Sequence, residues 1–182
     1  MGLEIESWQV NQNELAAFDA AVLPHLSAAY NLARWLTRDD QNAQDVVQEA
    51  CLRAFKYWKS FSGRDCRSWL LAIVRNTYYS WLRQQSVQPS LTEDGEIDDV
   101  DAAVPNPENV LLQKADRQLL RAALEDLPSE FREAIVLREM EGLSYKEIAD
   151  IASVPIGTIM SRLARARKRL QTYLTTVKAR KL

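Results

Sequence analysis

The chain has 182 residues, 47% hydrophobic and 26% charged, with a formal net charge of −2. That supplies one core or two small ones and excludes a protein that holds nucleic acid by bulk positive charge. Cys51, Cys66 and the single His25 exclude a disulfide framework and any usual metal-ligand set, so a reducing cytoplasm is expected, with no metal and no cofactor.

Helical periodicity fills residues 14–85 and 110–177, and no window alternates as a strand would. The expected fold is all-α, two small helical domains joined by a flexible acidic linker. No apolar run approaches the roughly 18 residues of a membrane span, and Glu4 and Glu6 stand where an export signal would be basic. Neither membrane insertion nor export is expected.

In the first domain, Asp45 to Trp58 reads as a helix burying Val47, Ala50, Cys51, Ala54 and Trp58. Its other face presents Asp45, Glu49, Leu52 and Lys56. An outward Leu52 among carboxylates is either a partner surface or an ordinary exposed leucine. A second helix, Trp69 to Gln85, turns Leu70, Ile73, Val74, Thr77 and Trp81 inward and leaves Trp69, Arg75, Asn76, Tyr79 and Arg83 outside. Aromatic planes beside cations suit unpaired bases, which stack on rings while arginine holds phosphates. The same pattern also fits core aromatics with snorkelling arginines.

Residues 86–109 carry Pro89, Gly95, Pro105 and Pro107 among Ser, Asn, Asp and Glu, without a Lys or Arg. This is linker composition. From Arg162 onward the pattern reverses, with Arg162, Arg165, Arg167, Lys168, Arg169, Lys178, Arg180 and Lys181 and no carboxylate. The charge is zoned, and the small net value hides it.

Between those zones lies a helix-turn-helix pattern. Ser144 and Glu147 make a capping box after Gly142, and Ile148, Ala149 and Ile151 give an apolar face. Ser153 stands in the turn at a position that needs positive φ, at a cost of about 1 kcal/mol to a non-glycine residue. Pro155 suits the first turn of the next helix. There Ile159, Leu163, Ala166 and Leu170 form a narrow inward stripe, and Thr158, Ser161, Arg165 and Lys168 face away, flanked by Arg162 and Arg169. Small residues at Gly157, Thr158 and Ser161 permit close backbone approach, and the helix N-terminus favours phosphate. Such a helix is built to enter the DNA major groove.

Asp45-Val46-Val47-Gln48-Glu49, Phe61-Ser62-Gly63, Ser68-Trp69-Leu70, Arg75-Asn76-Thr77 and Leu127-Pro128 through Arg167, in this order and spacing, resemble an extracytoplasmic-function (ECF) sigma factor of the sigma-70 family. The resemblance runs from about Leu23 to Leu174. It implies a region 2 domain at 14–85, an acidic linker at 86–109 and a region 4 domain at 110–177. It further implies a non-enzymatic factor that directs core RNA polymerase to promoters, with an anti-sigma factor as its inhibitor. By the same resemblance Asp45, Gln48, Glu49 and Leu52 would bind the polymerase β′ coiled coil, and region 4 would meet the β flap. Phe61, Trp69, Arg75, Asn76, Tyr79 and Arg83 would melt and hold the −10 element, a base being flipped onto the protein. Arg138, Pro155, Gly157, Thr158, Ser161, Arg162, Arg165 and Lys168 would meet the −35 element.

Two departures bear on base choice. The segment from Phe61 to Trp69 is one residue shorter than in common members, and Met160 and Ala164 replace a basic and a bulkier residue. Rival readings are a stand-alone helix-turn-helix regulator, which leaves the Asp45 helix unexplained, and a sigma mimic that titrates an anti-sigma factor, which would have no use for the basic recognition face.

Overall fold

The computed structural model of the protein describes residues 12–63, 65–85 and 107–180, and all regular structure among them is helical. The first half comprises α1 (Gln12–Val22), a 3-10 turn (Leu23–His25), α2 (Leu26–Thr37), α3 (Asp40–Lys56), a second 3-10 turn (Trp58–Ser60) and α4 (Cys66–Gln85). Asp39 starts α3, its carboxylate accepting from the Asn42 amide at 2.7 Å. Leu32, Leu36, Leu70, Leu71 and Val74 are fully buried between α2, α3 and α4. Each removes an aliphatic side chain from water, a gain of about 2 kcal/mol.

The buried stripe of α3 differs by one position from the sequence expectation. Ala43, Val46, Ala50 and Ala54 lie inside, whereas Val47 and Cys51 are half-buried and Trp58 sits beyond the helix. Three alanines on that stripe let α2 and α4 approach closely, and the helix rotates to present them. The expected outer face holds: Asp45, Glu49, Leu52 and Lys56 are all exposed, and Gln48 is exposed beside them.

The second half comprises α5 (Pro107–Glu125), α6 (Ser129–Ile135), a π-helical segment (Val136–Met140), α7 (Tyr145–Ala152) and α8 (Ile156–Arg180). Helix α5 opens at Pro107, three residues before the expected boundary, because proline suits a first helical turn. The rest of the acidic linker, 86–106, lies outside the described residues. Ser144 and Glu147 close the capping box with bonds of 3.2 and 2.7 Å. Gly142 and Ser153 both take positive φ, +68° and +54°. Since Ser153 holds a left-handed conformation that glycine adopts freely, Ser153→Gly should stabilise the protein by about 1 kcal/mol. Thermal unfolding of both proteins checks this as a higher midpoint for the variant.

The two halves are packed against each other. Helix α4 meets α7, and α2 meets α6 and the π-helical segment. Buried side chains from both halves form one continuous apolar cluster. Around it runs a set of polar ties. Glu133 of α6 pairs with Arg75 and accepts from the Tyr79 hydroxyl at 2.9 Å. Glu141 accepts from Arg67 at 2.6 Å and from Asn31 at 2.8 Å. Arg38 and Arg132 both donate to the Glu125 carbonyl, at 3.4 and 2.8 Å, where the C-terminal end of α5 attracts cations.

Candidate nucleic-acid interface

The helix-turn-helix is α7, the turn at Ser153 and α8. The Pro155 carbonyl accepts from the amides of Thr158 and Ile159 at 2.9 and 3.4 Å, so α8 begins immediately after the turn. Ile159, Leu163 and Ala166 are buried and Leu170 half-buried, as the stripe predicts. Ser161, Arg165 and Lys168 stand exposed on the outer face, and a side chain at Gly157 would meet nothing within 4 Å. Among the described residues, Arg165 and Lys168 have no carboxylate partner. Arg162 is different: it is half-buried and reaches back to Glu130 at 3.6 Å. Pro155 is exposed and Thr158 half-buried at the N-terminal end of the same face.

Arg138 is delivered by the π-helical segment, a geometry that widens one turn and redirects its side chains. Its Nη1 donates to the Leu143 carbonyl at 2.8 Å, and its guanidinium lies 5.1 Å from the Tyr145 ring centre. The ring holds the planar cation beside the recognition helix. Tyr145→Leu should therefore loosen Arg138 and, on the expectation that Arg138 meets the −35 element, weaken promoter binding by about threefold, as cation–π contacts at exposed sites are worth roughly 0.5–1 kcal/mol. Titration of the promoter with polymerase carrying the variant, beside an Arg138→Ala control, measures the loss.

The six residues expected at the −10 element are not brought together on one open surface. Asn76 and Arg83 are exposed. Phe61 and Trp69 belong to a half-buried aromatic group with Trp58, with ring centres 4.6 Å apart for Phe61–Trp69 and 5.4 Å for Trp58–Phe61. Trp69 therefore does not point outward as its helical position suggests; the 3-10 turn before it folds Trp58 and Phe61 across it. Arg75 and Tyr79 do leave the core of the first half, and the second half receives them at Glu133.

Glu133 is only 1% exposed, and burial pushes its carboxyl above the usual range, partly offset by the Arg75 guanidinium and the Tyr79 hydroxyl. Burial and the adjacent Glu133 raise the Tyr79 phenol far above its ordinary value, so it stays a donor. Sequence reasoning missed Glu133, Glu141 and Arg67. A carboxylate inside the run Phe131, Ala134, Ile135, Val136 is the one available signal, since burial there requires a partner cation.

On α3, Asp45, Gln48, Glu49 and Leu52 share the exposed face, with Leu52 63% exposed. Glu49 pairs with Arg53 at 2.7 Å, and Asp45 accepts from Gln41 at 3.4 Å. The thiols of Cys51 and Cys66 are free, half-buried and raised by burial, the unreactive direction. Among the described residues no three His, Cys, Asp or Glu converge as a metal site, and no helix is long and apolar enough to cross a membrane.

Residues 21–87 match the family model for sigma-70 region 2, and residues 117–170 match that for sigma-70 region 4. The ECF RNA polymerase sigma-E factor of Haemophilus influenzae is 36% identical over 175 residues, covering 91% of this chain and 92% of that protein. The chain belongs to the ECF sigma factors. Its sigma-E relative in Escherichia coli K12 is 34% identical over 88% of this chain and 87% of that one. SigE of Mycolicibacterium smegmatis is 35% identical over 90% of this chain, which spans 64% of that longer protein. Among solved structures, the sigma factor RpoE in complex with the anti-sigma factor NepR from Bartonella quintana is 36% identical, with a TM-score of 0.68 over 87% of this chain and 97% of that one. CnrH, solved with the cytosolic domain of CnrY, shares the fold at 24% identity and a TM-score of 0.63, covering 92% of this chain and 91% of that one. In this ECF sigma factor, then, α2 to α4 lie within the region 2 match, and the region 4 match runs from within α5 to within α8.

Proposed function

We propose that this ECF sigma factor binds core RNA polymerase and directs initiation by reading a −10 element with region 2 and a −35 element with region 4. The observation that carries the reading is the outer face of α8, where Arg165 and Lys168 stand exposed, with no carboxylate partner among the described residues, beside the small residues Gly157 and Ser161. A groove-entering helix needs that combination of free cations and close backbone approach. Arg138, Pro155, Thr158 and Arg162 border it. On α3, Asp45, Gln48, Glu49 and Leu52 form the surface for the polymerase β′ coiled coil, acidic with one exposed apolar anchor. Region 4 meets the β flap.

The arrangement described is the silent one. Arg75 and Tyr79, which would hold the −10 strand with Phe61, Trp69, Asn76 and Arg83, are occupied by Glu133 of region 4. The Glu133 carboxylate takes up the two donors that a phosphate would need. Reading −10 therefore requires the two regions to part, and a partner that favours the packed form inhibits. An anti-sigma factor is such a partner, and the RpoE structure that aligns with 87% of this chain holds one.

Footprinting of reconstituted holoenzyme on promoters recovered by genomic selection tests the reading. Protection at both elements, lost at −35 when that element is scrambled and absent when core enzyme or sigma chain is omitted, is the expected result. Protection by the sigma chain alone, equal to that of holoenzyme, would show a stand-alone regulator instead.

A further inference from the structure

Helix α8 exposes apolar side chains on the part of its surface that borders the cations. Met160 is 53% exposed and Ile156, one turn earlier, is 49% exposed. Ala164, one turn later, is exposed as well, so residues 156, 160 and 164 form a strip along the helix. Ser161, Arg165 and Lys168 run beside the strip. Both Met160 and Ile156 remain exposed in the closed arrangement, so the docking of the two halves leaves them available.

A duplex offers such a strip one apolar group at the base edges of the major groove, the C5-methyl of thymine. Guanine presents acceptors there and rewards Arg or Lys, and adenine rewards Asn or Gln. An unbranched thioether offers no donor to guanine and adapts its shape to a methyl. A phosphate flanking that base pair complements Lys168, and the small Ala164 leaves space for the groove wall.

We propose that Met160, backed by Ile156, reads a thymine in the −35 element through its methyl group. The inference rests on the assignment of α8 to the −35 element and adds a base preference to it. Ile156 shields the contact from water on its N-terminal side, and Ala164 keeps the strip shallow enough to follow the groove.

The test uses holoenzyme and promoter duplexes from genomic selection, with each −35 thymine replaced in turn by deoxyuridine. Deoxyuridine pairs identically and lacks only the methyl. At one or two positions the replacement should weaken wild-type binding about three- to fivefold, the size expected for one methyl group buried on an apolar side chain. Met160→Ala should lose a similar factor on the thymine duplex and become indifferent to deoxyuridine at that position. Met160→Arg, at this exposed position, should instead prefer guanine there. Deoxyuridine without effect at every position, or with an undiminished effect in Met160→Ala, overturns the proposal. If scrambling the whole −35 element leaves holoenzyme binding unchanged, the assignment of α8 itself fails, which separates that failure from failure of the thymine preference.

Discussion

Glu133→Ala should open the protein. The Arg75–Glu133 pair lies between the two halves, with side-chain exposures of 15% and 2%. Removing the carboxylate leaves the Arg75 guanidinium and the Tyr79 hydroxyl in the seam without their acceptor. Breaking a buried pair from one side costs about 3–5 kcal/mol. In the parted form Arg75 is hydrated and nothing is lost, so the cost falls on the closed form alone. The closed-to-open ratio should drop by roughly a hundredfold or more, since about 1.4 kcal/mol is a factor of ten. Small-angle scattering should report a larger radius of gyration, and hydrogen exchange should quicken along α4 and α6 with the cores of each half still protected. The variant should also bind single-stranded −10 DNA more tightly, because Arg75 and Tyr79 are released to it. Glu133→Gln, which keeps an acceptor for Tyr79 and discards the charge, should fall between. Unchanged dimensions in Glu133→Ala would show that the apolar cluster alone holds the halves together.

Arg165→Ala should remove most −35 discrimination. Its guanidinium is exposed at the centre of the outer face of α8 and has no carboxylate partner among the described residues, so it reaches a base edge without first breaking an ion pair. A bidentate arginine–base contact discriminates by about 1–3 kcal/mol. Holoenzyme carrying the variant should therefore lose roughly five- to 150-fold in preference for the intact over the scrambled −35 element. Lys168→Ala should behave differently, weakening all sequences alike and lowering the salt slope by about one. Competition binding at two salt concentrations separates the two outcomes. Equal losses from both variants on scrambled DNA would mean that Arg165 contacts phosphate and carries no base preference.

What the sequence makes legible is local. Ser144 with Glu147, Gly142 and Ser153 are start and stop signals whose meaning depends on neighbours within four residues, and each takes the conformation expected of it. The exposure of Leu52 follows from helical phase in the same way. Arg75 and Tyr79 show the boundary of such reasoning. Their helical phase correctly turns them away from the core of region 2, but phase holds no information about a second body packed on that face. Glu133 is hidden for a related reason: α6 has seven residues, two turns, too few for an apolar period to emerge. The aromatic group fails differently, since Trp69 meets Phe61 and Trp58 only because the chain between them turns back, and the α3 stripe keeps Ala50 and Ala54 but buries Ala43 and Val46 where Val47 and Cys51 were expected. Family resemblance supplied the order of regions 2 and 4. The polar ties that join them pair residues far apart in the chain, which no local pattern reveals.

Run-off transcription by core RNA polymerase, with and without this chain, tests the central claim most directly. The templates are promoters recovered by genomic selection with the holoenzyme, each also in forms scrambled at −10 or at −35. Transcripts that start at a defined position only when the chain is added, and that fall when either element is scrambled, are the predicted result. Equal output with and without the chain would contradict the account.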